Sequence, residues 1–237
     1  MQDLAIGIFC KTPAAGWSKS RLSPPLRPEE GAALSACFIR DLSGTIAEVT
    51  RPGIATGYAV YTPYGSEASL RPLLPRSFRL LPQCDGEFGI RVAGAVRALL
   101  TRHAGAILVN ADSPTLPASI LRAAIDATRN GGVVLSPALD GGYVLIGLSH
   151  MHERLFEDIP WSTPKVHQRT VERAQEIGVP VASVPGWYDV DDAASLTLLK
   201  AELAGEALPF TTEAGAAAPA TRLYLAQRDR PDGTGEK

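Results

Sequence analysis

The stretch that decides the fold is LAIGIFCKTPAAGWSKSRL, residues 4–22, in which an apolar run leads into a cationic loop. The run at 4–9 predicts a buried β-strand. In the loop, Gly16 permits positive φ or close backbone approach. Lys19 and Arg21 could together hold the oxygens of a diphosphate. A solvated surface loop explains the same letters, and from this stretch alone it is the commoner interpretation.

Outward from this stretch, strand and helix patterns alternate along the chain. Short apolar runs predict strands at 4–9, 54–61, 78–81, 106–110, 132–137, 143–148 and 179–184. Helical spacing and end signals predict helices over 28–49, 87–103, from 117 to about 128, 163–178 and 191–205. Strands separated by helices imply right-handed crossovers, so the sequence predicts an α/β fold with a mainly parallel sheet.

The length of 237 residues allows one large domain or two small ones. We predict one α/β domain over 1–205, followed by a low-complexity tail over 206–237 whose charged end is frayed. Apolar residues make up 45% of the chain, which suffices for a core. The net charge of −2 argues against a general nucleic-acid binder.

The location expected from the sequence is the cytoplasm. No apolar run approaches the ~20 residues of a membrane span, and the N-terminus lacks the pattern of a signal peptide. The three cysteines, Cys10, Cys37 and Cys84, are scattered and odd in number, which suits a reducing compartment. Cys10 and Cys37 lie in apolar patterns and are predicted to be core thiols. Cys84 has no evident activating base, so covalent catalysis is not supported.

An acidic residue follows an apolar predicted strand, in AILVNADSPTL. A carboxylate at Asp112 is costly there unless it is paired, hydrogen-bonded or bound to metal. Mg²⁺ and Mn²⁺ prefer such oxygen ligands. The alternative is a turn or helix-capping aspartate, because Asp-Ser-Pro is also favourable turn chemistry. The position at a strand end favours a functional role.

Two further segments combine acids with strand ends. In LDGGYVLIGL, Gly141-Gly142 could be a hairpin turn or could let substrate lie against bare backbone, with Asp140 orienting a hydroxyl. In WYDVDDAASL, one of the last two acids is predicted to cap a helix. Asp189 and Asp191 are two apart, so in an extended segment they point the same way and could serve one cation.

The segment IPWSTP is less informative. Trp161 could form an aromatic wall, but a plain helix start, with Thr163 as cap and Pro164 in the first turn, is the favoured interpretation.

Taken together and in this order, these segments resemble the DUF2064 family, also called the selenodomain-associated transferase 1 family, of the GT-A-like nucleotide-diphospho-sugar transferase superfamily. The resemblance runs from about residue 4 to residue 203. It is carried by FCKTPAAGWSKSRL, QCDGEFGIR, NADSPTL, LDGGYVLIGL, IPWSTP and YDVDDAASL.

The resemblance implies a Rossmann-like, three-layer α/β/α domain of the GT-A type, with a nucleotide over the first half of the sheet. It implies that Asp112 and Asp191 bind Mg²⁺ or Mn²⁺. It further implies that the first loop lines the phosphates of the nucleotide, through Lys11, Gly16, Lys19 and Arg21. Gln83 and Arg91 would lie near the nucleotide.

Three functions are consistent with the resemblance. In glycosyl transfer the donor is a nucleotide-sugar, and Asp140 is a candidate base. In nucleotidyl transfer of the guanylyl or cytidylyl type, an acceptor phosphate attacks a nucleoside triphosphate and pyrophosphate leaves. Many glycosyltransferases of this fold carry D-x-D where this chain has Asn110-Ala111-Asp112, and a single strand-end acid is more like nucleotidyltransferases. The family label nevertheless makes glycosyl transfer the first expectation and nucleotidyl transfer the alternative. The third is a nucleotide-binding module without turnover. The small-molecule acceptor is not specified, and neither a nucleic-acid nor a membrane partner is expected.

Overall fold

A seven-stranded sheet runs through the middle of the protein, in a computed structural model that describes residues 3–230. The residues at 1–2 and 231–237, which include most but not all of the predicted frayed end at 228–237, lie outside this range. The strands are β1 (Leu4–Lys11), β2 (Ala55–Thr62), β3 (Arg79–Pro82), β4 (Ala106–Asn110), β5 (Val133–Pro137), β6 (Tyr143–Leu148) and β7 (Val181–Ser183).

The order of strands across the sheet is β3-β2-β1-β4-β6-β5-β7. All neighbours are parallel except where β6 pairs with β4 and β5 in the antiparallel sense. The prediction of a mainly parallel sheet is therefore confirmed. Residues 138–142 connect β5 to β6 as the turn of an antiparallel pair, which agrees with the hairpin interpretation of Gly141-Gly142.

The α-helices are α1 (Pro28–Val49), α2 (Glu67–Leu70), α3 (Phe88–Leu100), α4 (Ala118–Arg129), α5 (Val166–Glu176), α6 (Ala193–Leu203) and α7 (Pro219–Arg228). Short 3₁₀ turns occur at Ser20–Leu22, Arg71–Leu73 and Glu153–Phe156. No helix within residues 3–230 combines the length and the apolar character that crossing a bilayer requires.

Helices cover both faces of the sheet, which gives the predicted three-layer α/β/α arrangement. On one face, buried side chains of α1, α4, α6 and α7 share one hydrophobic cluster with Ile6 and Ile8 of β1. On the other face, α3 and α5 pack against the alternate strand positions. Gly7 faces this second side, where a Cβ atom would lie only 2.8 Å from a methyl group of Val60. Cys10 and Cys37 are buried, as predicted.

The direction of the chain across the sheet reverses at β1. From β1 the chain first builds β2 and β3 on one side and then crosses to β4 on the other. In open α/β sheets, ligands bind at such a reversal, beyond the carboxyl ends of the strands. The loop at 12–22 leaves β1 at this point, and Asp112 follows β4 beside it.

The segment predicted as a low-complexity tail contains an ordered helix, and this corrects the sequence interpretation. Helix α7 packs against α1, where the buried carboxylate of Asp41 accepts hydrogen bonds from the amides of Ala220 (2.9 Å) and Thr221 (2.7 Å). Only two α7 side chains, Thr221 and Leu225, are buried, so the helical pattern was weak in the sequence. The domain boundary at residue 205 stays a prediction.

Candidate functional site

A cleft of about 530 Å³ opens at the carboxyl ends of β1 and β4. It extends from the first loop, past the ends of these strands, to the beginnings of α3 and α5. Of the residues predicted to form the site, its lining includes Lys11, Lys19, Arg21, Gln83, Arg91, Asp112, Asp140, Gly142 and Asp191. The structure therefore brings residues from all the predicted segments to one place.

Two predicted site residues, Gly16 and Gly141, lie outside the lining of the cleft. Both have positive φ, of 75° and 89° respectively. A Cβ atom on Gly141 would overlap the backbone of Pro164 at the start of α5. The positive φ by itself favours glycine at these two positions, and their predicted role in nucleotide binding stays a prediction.

The ammonium of Lys19 occupies a position between two carboxylates. It forms an ion pair with Asp112 and lies 3.4 Å from an oxygen of Asp191. It also donates to the carbonyl of Val190 at 2.6 Å and lies 4.9 Å from the centre of the Phe38 ring. The side chain of Lys19 is only 4% exposed. The sequence predicts Lys19 as a phosphate contact, and in the structure its ammonium lies against the acids.

The backbone of the first loop places Lys19 there. Lys19 itself has a φ of 55°, in the left-handed region that few residues other than glycine adopt. Ser18 is buried, and its hydroxyl accepts a hydrogen bond from the amide of Ala14 at 3.2 Å. Gly31 of α1 lies so close that a Cβ atom would be 2.9 Å from the carbonyl oxygen of Ser18. The loop is therefore packed against α1 and directs Lys19 inward.

Asp112 is held by a turn directly after β4. The side-chain oxygen of Asn110 accepts from the Asp112 amide at 3.2 Å and from the Ser113 hydroxyl at 2.9 Å. The turn interpretation of this segment is thus correct, and it is compatible with a functional role for the carboxylate. Among the described residues, Asp112 and Asp191 share Lys19 as a common partner, so both carboxylates point to the same side.

The segment that carries Asp189 and Asp191 is anchored by two buried aromatic residues. Trp187 donates from its indole nitrogen to the hydroxyl of Thr115 at 3.2 Å, and Tyr188 contacts Glu202 of α6. Asp192 then caps α6, accepting from the amide of Ser195 at 2.8 Å, which confirms the predicted cap.

Negative charge is concentrated where these segments meet. Burial, followed by the charges of Asp140, Asp191 and Asp112, raises the pKa of Asp189 to about 7. Burial, followed by the charge of Asp112, raises the pKa of Asp191, and the ammonium of Lys19 opposes this shift. Burial and the charge of Asp112 also raise the pKa of Cys10 to about 12, which keeps this thiol protonated.

The donor set suits a hard divalent ion, because it consists of carboxylate oxygens and already attracts one cation, the ammonium of Lys19. Within residues 3–230, no three His, Cys, Asp or Glu side chains form a ready-made metal site. Two protein carboxylates are nevertheless enough for ions such as Mg²⁺, which are commonly completed by water and substrate phosphate. Asp112 and Asp191 therefore fit a divalent ion that would replace the ammonium.

Gln83 and Arg91 form a second polar group in the cleft. The amide nitrogen of Gln83 donates to the carbonyls of Cys10 (3.1 Å) and Val60 (2.9 Å), and its oxygen accepts from Arg91 at 2.8 Å. The Arg91 guanidinium also lies 5.6 Å from the centre of the Phe88 ring. Gln83 thus links the ends of two strands and orients a cation towards the cleft.

An aromatic wall lies at the far end of the cleft, and the sequence raised it at Trp161 only as the less favoured alternative. Phe88 packs edge-on against Trp161 and Phe9, with ring centres 5.1 and 5.6 Å apart, and Tyr143 lies 6.5 Å from Trp161. These rings come from distant parts of the chain, so no local pattern joins them. Helix α5 begins at Val166, slightly after the predicted start. The favoured interpretation of Trp161 as part of a helix start misses its place in the cleft.

A family model described as "Uncharacterized protein conserved in bacteria (DUF2064)" matches residues 45–163, half of the chain. The chain belongs to the DUF2064 family. The match covers Asp112 and Asp140 of the cleft but neither the first loop nor Asp191. No curated protein matches this DUF2064 chain.

Solved structures share the fold. A protein of Desulfovibrio desulfuricans G20, provisionally described as a nucleotide-diphospho-sugar transferase, is 25% identical with a TM-score of 0.81, over 97% of this chain and 96% of its own. A CMP:2-keto-3-deoxy-manno-octonic acid synthetase complexed with CTP is 12% identical with a TM-score of 0.55, over 86% and 99%. The 4-diphosphocytidyl-2C-methyl-D-erythritol synthase of Anaerococcus prevotii is 10% identical with a TM-score of 0.58, over 86% and 96%. These likenesses confirm the predicted fold class for the DUF2064 chain.

Proposed function

We propose that this protein is a transferase that depends on a divalent metal ion and takes its transferred group from a nucleotide-activated donor, in the first place a nucleotide-sugar. The observation that carries the proposal is the carboxylate pair of Asp112 and Asp191, which shares one cation in a cleft at the reversal of the sheet. The description of the Desulfovibrio neighbour supports this class of donor.

The cations of the cleft would hold the phosphates of the donor. Lys11 and Arg21 line the cleft with exposed side chains, and Arg91 is oriented by Gln83. An arginine can bind two phosphate oxygens at once, which fixes the orientation of the donor as well as its charge. Lys19 would join this group if its ammonium left the carboxylates.

A divalent ion on Asp112 and Asp191 would supply charge neutralisation for a departing diphosphate. The protein keeps these two ligands in place without the ion, through the turn at Asn110 and the anchored segment around Val190. Preorganised groups of this kind stabilise developing charge without the cost of rearranging during the reaction.

In glycosyl transfer, an acceptor hydroxyl oxygen forms a bond to C1 of the sugar, the bond from C1 to the diphosphate breaks, and the hydroxyl proton passes to a base. Asp140 is the candidate base: it lines the cleft, is exposed, and accepts from the Gly142 amide at 2.8 Å. The aromatic wall of Phe88 and Trp161 offers ring faces and edges on which a sugar can pack.

Nucleotidyl transfer is the second candidate. An acceptor phosphate oxygen attacks the α-phosphate of a nucleoside triphosphate, and the bond to pyrophosphate breaks. This route needs no protein base, and the described lining of the cleft contains no histidine. The sequence Asn110-Ala111-Asp112, with a single acid at the end of β4, favours this candidate over a D-x-D glycosyltransferase.

Incubation of the purified protein with Mn²⁺ and a panel of nucleotide-sugars and nucleoside triphosphates tests the proposal. Slow hydrolysis of a nucleotide-sugar supports glycosyl transfer, whereas release of pyrophosphate from a triphosphate supports nucleotidyl transfer. Binding without turnover in the unmodified protein would contradict both and would indicate a nucleotide-binding module.

The variant Asp112→Asn should lose metal-dependent turnover while its melting curve stays cooperative. Asp126→Asn is the matched control, because Asp126 is an exposed acid on α4 away from the cleft lining. If Asp112→Asn and Asp126→Asn turn over substrate equally well, the assigned metal ligand is wrong.

A further inference from the structure

The ammonium of Lys19 already has a full set of hydrogen-bonding and charged partners. It has two carboxylates and one carbonyl oxygen as partners, and a lysine ammonium has three protons to donate. The face of the Phe38 ring lies on a further side. A buried ammonium that is satisfied in this way is not free to bind phosphate.

The same two carboxylates are the ligands proposed for the divalent ion. An ammonium in contact with Asp112 and a divalent ion bound to Asp112 would repel each other strongly at contact distance. The ion pair and the metal site therefore compete, because the ammonium lies against one oxygen of each acid that the metal would take. Binding of the metal to both acids favours movement of Lys19 away from them.

We propose that the Lys19 ammonium is the resident cation of the Asp112–Asp191 pair, which a divalent ion displaces and which then becomes available to the phosphates of the donor. This inference rests on the proposed function in one respect, the assignment of Asp112 and Asp191 as metal ligands. It adds that a side chain of the protein, Lys19, competes with the metal for the two carboxylates.

The exchange has two consequences. Without metal, Lys19 offsets the mutual repulsion of two acids that the backbone already holds near each other, so the site is assembled in advance. With metal, one cation is released next to the cleft, where Lys11 and Arg21 already lie. Phosphates that attract Lys19 away from the acids would make metal binding easier, and by linkage metal would favour phosphate binding equally.

Metal binding in the absence of nucleotide tests the displacement. We expect Lys19→Met to bind Mn²⁺ alone on the order of tenfold more tightly than the unmodified protein, because the metal no longer has to displace an ion pair. Calorimetry, or electron paramagnetic resonance of free Mn²⁺, gives the dissociation constants. Melting curves should show that Lys19→Met is destabilised without metal and gains more from Mn²⁺ than the unmodified protein does.

The matched control is Arg21→Met. Arg21 lines the cleft, and its charge acts on Asp191, but it forms no ion pair with an acid among the described residues. Its loss should change Mn²⁺ affinity much less. Equal gains in Lys19→Met and Arg21→Met would show a general effect of charge and would overturn the displacement.

A second measurement uses the unmodified protein, so it does not depend on the folding of a variant. Reductive methylation followed by peptide mass spectrometry reports the accessibility of each lysine. Lys19 should be protected without metal and labelled faster with Mg²⁺, while exposed Lys11 serves as the internal reference. Labelling of Lys19 that stays slow while Mg²⁺ is bound would overturn the proposal.

The outcomes separate this inference from the proposed function. If the unmodified protein and Lys19→Met both fail to bind Mn²⁺, the assigned metal site is wrong and the inference falls with it. If both bind Mn²⁺ with equal affinity, the metal site stands and only the displacement is wrong. A tighter Lys19→Met supports the displacement whether or not a substrate has been found.

Discussion

The amide of Val190 donates a hydrogen bond of 2.9 Å to the carbonyl oxygen of Asp112. This bond joins the turn after β4 to the segment before α6, and each segment carries one acid of the pair next to the junction. The carbonyl of the same Val190 accepts from Lys19. The spacing of the two carboxylates is therefore set by the backbone, and substitution of either side chain should leave this junction intact.

The contact between Gln83 and Arg91 predicts coupled effects on nucleotide binding. Gln83→Leu removes the acceptor that orients Arg91 and leaves the carbonyls of Cys10 and Val60 without this donor. We expect nucleotide affinity to fall about tenfold in Gln83→Leu and in Arg91→Met, with little additional loss in the double variant. Calorimetric titration of the four proteins checks this. Fully additive losses would mean that Gln83 does not act through Arg91.

Helix α7 should depend on a single carboxylate. Asp41→Ala removes the acceptor of the Ala220 and Thr221 amides at the start of α7, where a negative charge is also favoured. We expect a loss of about 1–2 kcal/mol in the free energy of unfolding. Hydrogen exchange should increase over 219–228, and Asp41→Asn, which retains one acceptor oxygen, should show a smaller increase. Unchanged protection in Asp41→Ala would contradict this role.

Alanine substitutions at Gly141, in the turn between β5 and β6, and at Gly16, in the first loop, allow a matched comparison of stability. Both have positive φ, so an alanine at either position carries the roughly 1 kcal/mol cost of the left-handed conformation. A Cβ atom at 141 would also overlap Pro164, whereas one at 16 meets no atom within 4 Å. Chemical denaturation should therefore show a larger loss of stability for Gly141→Ala than for Gly16→Ala. Equal losses would show that the contact with Pro164 adjusts freely.

The cap of α6 should give stability that depends on pH. Hydrogen bonds from the backbone and then the hydroxyl of Ser195 lower the pKa of Asp192 below its ordinary value of 3.8. The stabilisation is thus complete above the unfolded pKa and is lost as the pH falls through the lower folded pKa. Asp192→Ala should cost about 1 kcal/mol near neutral pH.

Asp192→Asn is the control, because asparagine caps helices without titrating. The difference in stability between the unmodified protein and Asp192→Ala should shrink in acid, whereas the difference between Asp192→Asn and Asp192→Ala should not. Denaturation curves at several pH values measure both. If the difference in stability between the unmodified protein and Asp192→Ala does not change with pH, the charge of Asp192 contributes nothing to the cap.

Much of the fold could be predicted because its signals are local. The buried run at 106–110 is the strand β4, and the acids that follow strands, including Asp112, reach the cleft as the geometry of parallel sheets requires. The weak pattern of α7 could not be recognised in the same way. Two buried side chains in a ten-residue segment, directly after an alanine-rich run, do not distinguish a helix from a loop.

The details of the cleft depend on contacts that the sequence does not encode locally. Lys19 reaches the acids through a left-handed turn at a lysine, a conformation that residue type alone argues against. The aromatic wall joins Phe9, Phe88 and Trp161 from three separate elements. Trp161 did raise an aromatic wall as an alternative, but helix-start chemistry explained this tryptophan and was the favoured interpretation.

The most direct test of the central claim is a crystal structure with Mn²⁺ and a nucleoside diphosphate, measured for anomalous scattering from the metal. We expect an anomalous peak bound by Asp112 and Asp191 at roughly 2.1 Å, with the Lys19 ammonium moved from the carboxylates towards phosphate. A metal peak elsewhere, with Lys19 still paired to Asp112, would contradict it.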